Sequence, residues 1–225
     1  HRRFCISRRE MKRIPFLLLL FFLFSCQTLP VIHPSPLADE KSIPCPNPFL
    51  KSQYRLVHAI EFRMAGETRA AVIGVTLADP LTRAVSCSII TPEGMVLFEA
   101  ESTPDNLKTT RAFPPFDAQN VAKNMLADIK LIFLEPKGKL ESRGYLPDGS
   151  TVCRYHEKDG SWVDVVETEP ERLQIKRYTS SGELKRKVLF DRKGNIDQRI
   201  ELHANEAFNY SLLMSLIEAE PVIAK

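Results

Sequence analysis

The thiol of Cys26 is the reactive group with the most specific sequence context. Lys12 and Arg13 precede eleven apolar residues, 14–24, and the small residue Ser25 stands directly before the cysteine. This order is typical of an export leader that is removed after transport. Eleven apolar residues are too few for a helix to cross a hydrocarbon core of about 30 Å, which takes about 20. The sequence therefore predicts a cleaved leader over residues 11–25 and a new N-terminus at Cys26.

The four residues that end at this cysteine resemble the lipobox of bacterial lipoproteins. They read Leu23, Phe24, Ser25 and Cys26, with Phe24 somewhat bulky for its place. The resemblance implies a diacylglycerol thioether on Cys26 and an amide-linked acyl chain such as palmitate. Gln27 resembles the outer-membrane sorting preference of enteric bacteria, which implies a periplasm-facing, lipid-anchored protein of the outer membrane. The alternative is an ordinary secretory leader with a chance cysteine at its end.

Composition divides the chain into four segments. We expect residues 1–10 to be an upstream or non-native segment and residues 11–25 to be the leader. Residues 26–50 are rich in proline, which disrupts helices and sheet ladders and favours an extended tether. Residues 51–225 are long enough to form one domain with a sizeable core.

The basic charge of the chain belongs to its leader. Six of the 31 basic residues but only one of the 28 acidic residues precede Cys26, so the remainder carries about two net negative charges. Without a basic, aromatic-rich patch, the sequence gives no reason to expect a nucleic-acid partner.

Three cysteines remain after the leader and the lipidated residue are set aside. One disulfide among Cys45, Cys87 and Cys153 is compatible with an oxidising compartment, but the spacing does not choose the pair. Cys87 and Cys153 lie in strand-like sequence, which favours burial. Cys45 lies between two prolines and is the candidate for an exposed free thiol.

The remaining polar residues form no recognised catalytic or metal-binding pattern. The histidines lack metal-ligand spacing, and no nucleophile elbow or phosphate-binding glycine loop occurs. We therefore expect no enzyme activity, no metal and no cofactor. His58 falls on the apolar face of a predicted strand, where a hydrogen-bonded core histidine is the favoured interpretation. Asp164 and the acids that follow it are expected to form a solvated rim.

Apolar residues repeat with a period of two from Tyr54 onward, apart from one stretch with helical spacing. The helix is predicted to be capped by Asp117 and to end before Pro136. Its apolar positions are Val121, Met125, Ile129 and Phe133. Strands, one helix and then more strands predict an α+β fold: a single, strongly curved antiparallel sheet of about ten or eleven strands with one principal helix as its lid.

The element order and the turn formed by Thr91, Pro92, Glu93 and Gly94 resemble the outer-membrane lipoprotein receptor LolB and its soluble partner LolA. The resemblance spans about residues 54–217 and is nearest to an uncharacterised group of LolB-like lipoproteins. It implies an unclosed half-barrel with a helical lid and an apolar cavity for acyl chains. The residues expected to line that cavity are Ile60, Phe62, Ile73, Val75, Leu97, Val121, Met125, Ile129 and Phe133. The pattern alone, without the resemblance, favours a packed core.

The turn Pro92, Glu93, Gly94 and Met95 is expected to face the membrane. In the receptor the corresponding turn reads Asn, Pro, Leu, Gly, and its protruding leucine helps to pass cargo to the membrane. Glu93 occupies that place here, and burial of a carboxylate is costly. Either Met95 substitutes for the leucine or delivery into the bilayer is not a function of this chain.

Two functions follow as hypotheses. The first is a carrier or acceptor for lipid or for lipoprotein acyl chains, with a periplasmic carrier protein as a partner. The second is a non-enzymatic structural or assembly accessory with a packed core and a protein partner.

Overall fold

The computed structural model describes residues 29–34, 44–169, 172–193, 196–205 and 209–222. The predicted leader, Cys26 and Gln27 lie outside these residues. Within them the chain forms twelve strands and one helix. The strands are β1 (Tyr54–Met64), β2 (Glu67–Ala78), β3 (Val85–Ile90), β4 (Val96–Ser102), β5 (Leu107–Ala112), β6 (Lys139–Tyr145), β7 (Thr151–His156), β8 (Trp162–Glu169), β9 (Arg172–Tyr178), β10 (Leu184–Lys193), β11 (Ile196–Ala204) and β12 (Tyr210–Pro221). The helix is α1 (Val121–Phe133).

All twelve strands belong to one antiparallel sheet. Its order is β5-β4-β3-β2-β1-β12-β11-β10-β9-β8-β7-β6. Two meanders of sequential hairpins are therefore joined by the pairing of β1 with β12, which begins with Tyr54 opposite Pro221. Strands β5 and β6 are the two edges, and α1 connects them along the chain. The predicted single unclosed antiparallel sheet is confirmed, with twelve strands instead of ten or eleven.

The sheet must be strongly curled, because one short helix packs against both of its halves. A flat sheet of twelve strands would be about 50 Å wide, whereas a helix with its side chains is about 10 Å wide. Yet α1 shares a single hydrophobic core with Phe98 of β4 and with Cys153 and Val165 of β7 and β8. We call the face of the sheet that contributes to this core the inner face.

The helix begins at Val121, without the predicted cap. Asn120 occupies the N-cap position in the left-handed region, with φ 67°, and no side chain caps the helix. Asp117 lies in a turn, where the Val121 N–H donates to the Ala118 carbonyl. The prediction of Asp117 as the cap is therefore wrong, because turns that precede α1 take up this part of the chain. The buried residues of α1 are Leu126, Ile129, Ile132 and Phe133.

Residues 44–50, which we call the covering segment, pack onto the inner face. Cys45 forms a disulfide with Cys153 of β7. Phe49 is only 6% exposed and belongs to the main core, and the Leu50 N–H donates to the Phe133 carbonyl at 3.1 Å. The predicted free tether thus ends before this segment, and the predicted exposed thiol of Cys45 is wrong.

A second proline-rich piece, residues 29–34, lies against edge strand β6. His33 and Tyr145 exchange backbone hydrogen bonds of 2.8 and 2.9 Å. Gly144 permits this approach, because a Cβ atom there would collide with the His33 carbonyl and the Ile32 side chain. An uncovered edge is a site for unwanted strand pairing, so this contact protects part of edge strand β6.

Asp164 is buried on the outer face. It is 1% exposed and accepts two hydrogen bonds from the Arg154 guanidinium, at 2.6 and 2.7 Å. A small second core of Leu146, Val152 and Val166 lies on the same strands. The prediction that Asp164 belongs to a solvated rim is wrong, because a bidentate partner on the neighbouring strand makes its burial tolerable.

The disulfide predicts a large difference between the oxidised and reduced protein. The Cys45–Cys153 bridge spans a sequence separation of 108 residues, and closing so long a loop restricts the unfolded chain. We expect the double substitution Cys45→Ser and Cys153→Ser to lower the free energy of unfolding by about 4 kcal/mol in urea denaturation. Reductant should lower the stability of the wild type to that of the variant and leave the variant unchanged. Equal stability of oxidised and reduced wild type would contradict the bridge.

Candidate functional site

The inner face beneath α1 contains six of the nine residues predicted to line a cavity. Met125, Ile129 and Phe133 pack in the main core, and Val121 is half-buried one turn earlier. On β1, Ile60 packs against the same core, and the ring centroid of Phe62 lies 5.6 Å from that of Tyr210. The apolar residues predicted from the strand pattern of β1 and from the helical pattern of α1 therefore do lie on the same side of the sheet.

The other three predicted lining residues are not part of the main core. In β2 the buried positions are Gly74, Thr76 and Ala78, so Ile73 and Val75 point the other way. In β4 the core residue is Phe98, whereas Leu97 lies at a register shift against β3 and is not part of the main core. The prediction that Ile73, Val75 and Leu97 line the cavity is therefore wrong.

The reason lies in the packing of β2 against β1. Both faces of β2 contain apolar residues, so its period of two does not identify the inner face. Ile60 stands opposite Val72, and a Cβ atom on Gly74 would lie 2.5 Å from Ile60 Cδ1. The isoleucine thus fills the space above the glycine, and the small residue turns inward. This complementarity between two strands cannot be read from either strand alone.

The inner face is filled by side chains in the described part of the chain. Leu126, Ile132 and Leu134 are each no more than 2% exposed, and Phe49 of the covering segment adds a buried ring. The helix and the covering segment are hydrogen-bonded to each other through Leu50 and Phe133. Any apolar ligand of this face would have to displace one of these two elements.

Polar contacts fasten α1 to both halves of the sheet. The Arg186 Nε of β10 donates to Asp128 Oδ1 at 2.8 Å, with both side chains largely buried. The Tyr210 hydroxyl lies 3.4 Å from Asp128 Oδ2. On the other side, Lys130 Nζ donates to Ser102 Oγ of β4 at 2.7 Å. The helix is therefore positioned across the interior by directional bonds as well as by apolar packing.

His58 is a buried titratable group directly beneath the helix. It is 2% exposed, its ring centroid lies 6.0 Å from that of Phe133, and its Nδ1 atom has no hydrogen-bond partner among the described residues. Burial lowers the pKa of His58 to about 4, because a charged imidazole loses hydration there. The expected core position is correct, but the expected hydrogen-bonded state is not met at Nδ1.

Cys87 is the free cysteine of the described residues, and it is buried. Burial raises the pKa of its thiol to about 12, although the Thr76 hydroxyl acts in the opposite direction. Since the thiolate is the reactive form, this residue has the character of a packing group.

The turn at 91–95 is closed by backbone hydrogen bonds. The Thr91 N–H donates to the Met95 carbonyl at 2.9 Å, and Gly94 has φ 94°, which suits glycine. Met95 is 58% exposed, and Phe113, which follows β5 at the same end of the sheet, is 49% exposed. Pro92 and Glu93 occupy the exposed tip of this turn. An exposed apolar pair thus accompanies the carboxylate.

The described residues contain no group of three or more histidine, cysteine, aspartate or glutamate side chains that could hold a metal ion. Likewise, none of the helices in the described ranges is long and apolar enough to span a membrane.

No protein-family model matches the chain, and no curated protein matches it in sequence. Among solved structures, a LolA superfamily protein from Nitrosomonas europaea matches 79% of this chain and 89% of its own, with a TM-score of 0.52 and 11% identity. The chain has a LolA-like fold. At this identity the likeness concerns the fold alone.

The LolA-like fold confirms the architecture that the sequence resemblance implied. This architecture is an unclosed sheet with a helix over its inner face, and the residues beneath α1 form the candidate site. Sequence reasoning missed Phe49 and Leu50, because their apolar character stands out only weakly among the surrounding prolines.

His58 predicts a loss of stability in mild acid. The unfolded histidine has a pKa near 6.5 and the folded one a pKa of about 4, so the unfolded chain binds more protons between these values. Stability should therefore fall as the pH falls from about 6.5 to 4, by roughly 3 kcal/mol in total. His58→Leu should flatten this part of the pH dependence of the free energy of unfolding. The matched control, His203→Leu at a half-exposed site, should leave it in place; identical pH profiles for His58→Leu and wild type would contradict the assignment.

Proposed function

We propose that the chain is a membrane-anchored lipoprotein whose LolA-like shell binds lipid, or the acyl chains of a lipoprotein, as a carrier or acceptor in outer-membrane trafficking. The observation that carries the proposal is the unclosed sheet, whose apolar inner face is covered by one helix and one short segment. A face covered in this way can exchange its covering residues for another apolar group. The proposal includes no covalent chemistry on the cargo.

The apolar character of the covering segment favours its replacement by an acyl chain. An acyl chain that replaced Phe49 and Leu50 would restore apolar contact to the same inner face, so little hydrophobic free energy would be lost. The disulfide at Cys45 anchors one end of the covering segment to β7. The segment beyond this anchor could then move aside without leaving the domain.

The lipid anchor on Cys26 would place the shell at the periplasmic face of the outer membrane. The exposed pair Met95 and Phe113 supplies apolar surface at one end of the sheet, beside Glu93. A periplasmic carrier protein is the partner that this arrangement would serve.

A second candidate function is a structural or assembly accessory. It is favoured by the filled inner face, since buried leucines and aromatic residues are what a core needs in any domain. In this case the partner would be a protein that binds the rim.

Phe49→Ala separates these two functions. If the inner face accepts acyl chains, removal of this ring should open space and strengthen the binding of a fluorescent fatty acid by about tenfold, measured by titration of delipidated protein. If the core is purely structural, the same change should cost about 3–5 kcal/mol of stability without saturable binding.

Phe113→Ala is the matched control, because this ring is exposed. It should alter neither the fatty-acid affinity nor the stability by a comparable amount. Absence of saturable binding to wild type and to Phe49→Ala alike would reject the carrier function.

The anchor has its own test. In bacteria expressing the full chain, mass spectrometry should find a mature N-terminus at Cys26 bearing a diacylglycerol thioether and an amide-linked acyl chain. Cys26→Ser should abolish this modification and release the protein from the membrane fraction. Cys5→Ser, which changes a cysteine ahead of the leader, should leave both unchanged. An unmodified mature chain in the wild type would contradict the lipobox.

A further inference from the structure

A pocket with a charged rim, which we call the seam pocket, lies beside the C-terminal end of α1. It has a volume of about 220 Å³ and is built by the β2–β3 turn, the β7–β8 turn, β8, β9 and the C-terminal end of α1. The charged residues around it are Arg83, Lys130, Lys137, Arg177, Glu135 and Glu157. Four cations thus face two carboxylates.

The cations are not equally neutralised. Arg177 Nη2 donates to Asp159 at 2.8 Å outside the pocket lining. Lys130 is different: its resolved contact is the neutral Ser102 hydroxyl. Burial lowers the pKa of Lys130, and the charges of Lys137 and Arg83 lower it further. Lys130 therefore lies in a cationic environment.

Arg83 contributes a buried donor. Its Nε atom is buried and has no hydrogen-bond partner among the described residues. Burial lowers the pKa of Arg83, while the charges of Glu157 and Glu135 act to raise it. A buried N–H without an acceptor costs free energy, which a bound acceptor would recover.

The end of α1 does not account for these cations. A lysine in the last turn often interacts with the free carbonyls of a helix. Here the Lys130 carbonyl accepts from the Leu134 N–H at 3.0 Å, and the Phe133 carbonyl accepts from the Leu50 N–H. Two of the terminal carbonyls of α1 are thus satisfied by backbone donors and do not need a lysine side chain.

We propose that the seam pocket binds an oxyanion, a phosphate or a carboxylate, through Arg83, Lys130 and Lys137. Guanidinium and ammonium groups form strong charge-assisted hydrogen bonds with such oxygens. The charges of Glu135 and Glu157 act on Arg83, so the excess of positive charge is greatest around Lys130 and Lys137. The volume suits one anion with several waters, since a water takes about 30 Å³ in the liquid.

The anion could be a free ion from solution or the head group of an anionic amphiphile, and the lining of the pocket makes the two sources testable. Leu134 and Val163 line it and also belong to the main core. An anionic amphiphile could therefore place its head in the seam pocket and its tail against these residues. This second source rests on the proposed function, whereas binding of a free anion does not.

The test compares two charge-matched double variants of the full chain. Arg83→Gln with Lys130→Gln removes two pocket cations. Arg69→Gln with Lys108→Gln removes two cations that are 54% and 64% exposed elsewhere on the sheet. Binding of inorganic phosphate, dodecyl phosphate and dodecanol is measured by calorimetric titration at low ionic strength, and thermal unfolding establishes that each variant is folded.

We expect millimolar binding of inorganic phosphate to wild type, weakened at least tenfold in the pocket variant and unchanged in the control variant. Tighter binding of dodecyl phosphate than of both phosphate and dodecanol would identify a head-group site. Equal affinities for the two phosphates would identify a free-anion site and would support the seam pocket while removing support from the lipid carrier.

Three results would overturn the proposal. They are absence of saturable binding for both phosphates, an equal loss of affinity in the control variant, and phosphate binding that survives in the pocket variant. If the pocket variant does not fold, Lys137→Gln provides the same comparison at an exposed side chain, with Lys108→Gln as its control; an unchanged phosphate affinity in Lys137→Gln would then count against the site.

Discussion

An antiparallel sheet that curls without closing leaves an apolar inner face that must be covered from elsewhere in the chain. Helix α1 supplies most of this cover, with Leu126 and Ile129 against the sheet. Phe49 completes it from a segment far away in sequence. The disulfide at Cys45 and the hydrogen bond between Leu50 and Phe133 keep that segment in place. The interior of this domain is therefore assembled from three separate parts of the chain.

Directional interactions determine where the cover lies. The buried pair of Asp128 and Arg186 connects α1 to β10, and Lys130 reaches Ser102 on the other half of the sheet. A buried ion pair contributes little net stability when compared with apolar packing, because both charges lose hydration. Its effect here is positional, since apolar contacts alone would allow the helix to slide along the inner face.

The seam pocket brings charged and apolar side chains together. Charged residues such as Arg83 and Lys130 surround the seam pocket, although core residues such as Val163 lie directly beside them. A cationic rim beside an apolar wall matches the chemistry of an anionic amphiphile, which is why the proposed anion site and the proposed carrier function can be tested together.

The sequence by itself determined the local periods of the strands and of α1, their order and the single-sheet architecture, because these patterns depend on residues close together in the chain. It also contains the apolar run before Cys26 from which the leader and the lipobox are predicted. Tertiary structure alone decided that Gly74 instead of Ile73 faces inward, that Cys45 pairs with Cys153, and that Asp164 is buried. Each of these outcomes depends on a partner in another strand or segment. A pattern along one strand carries no information about the shape or charge of the residue that will lie against it.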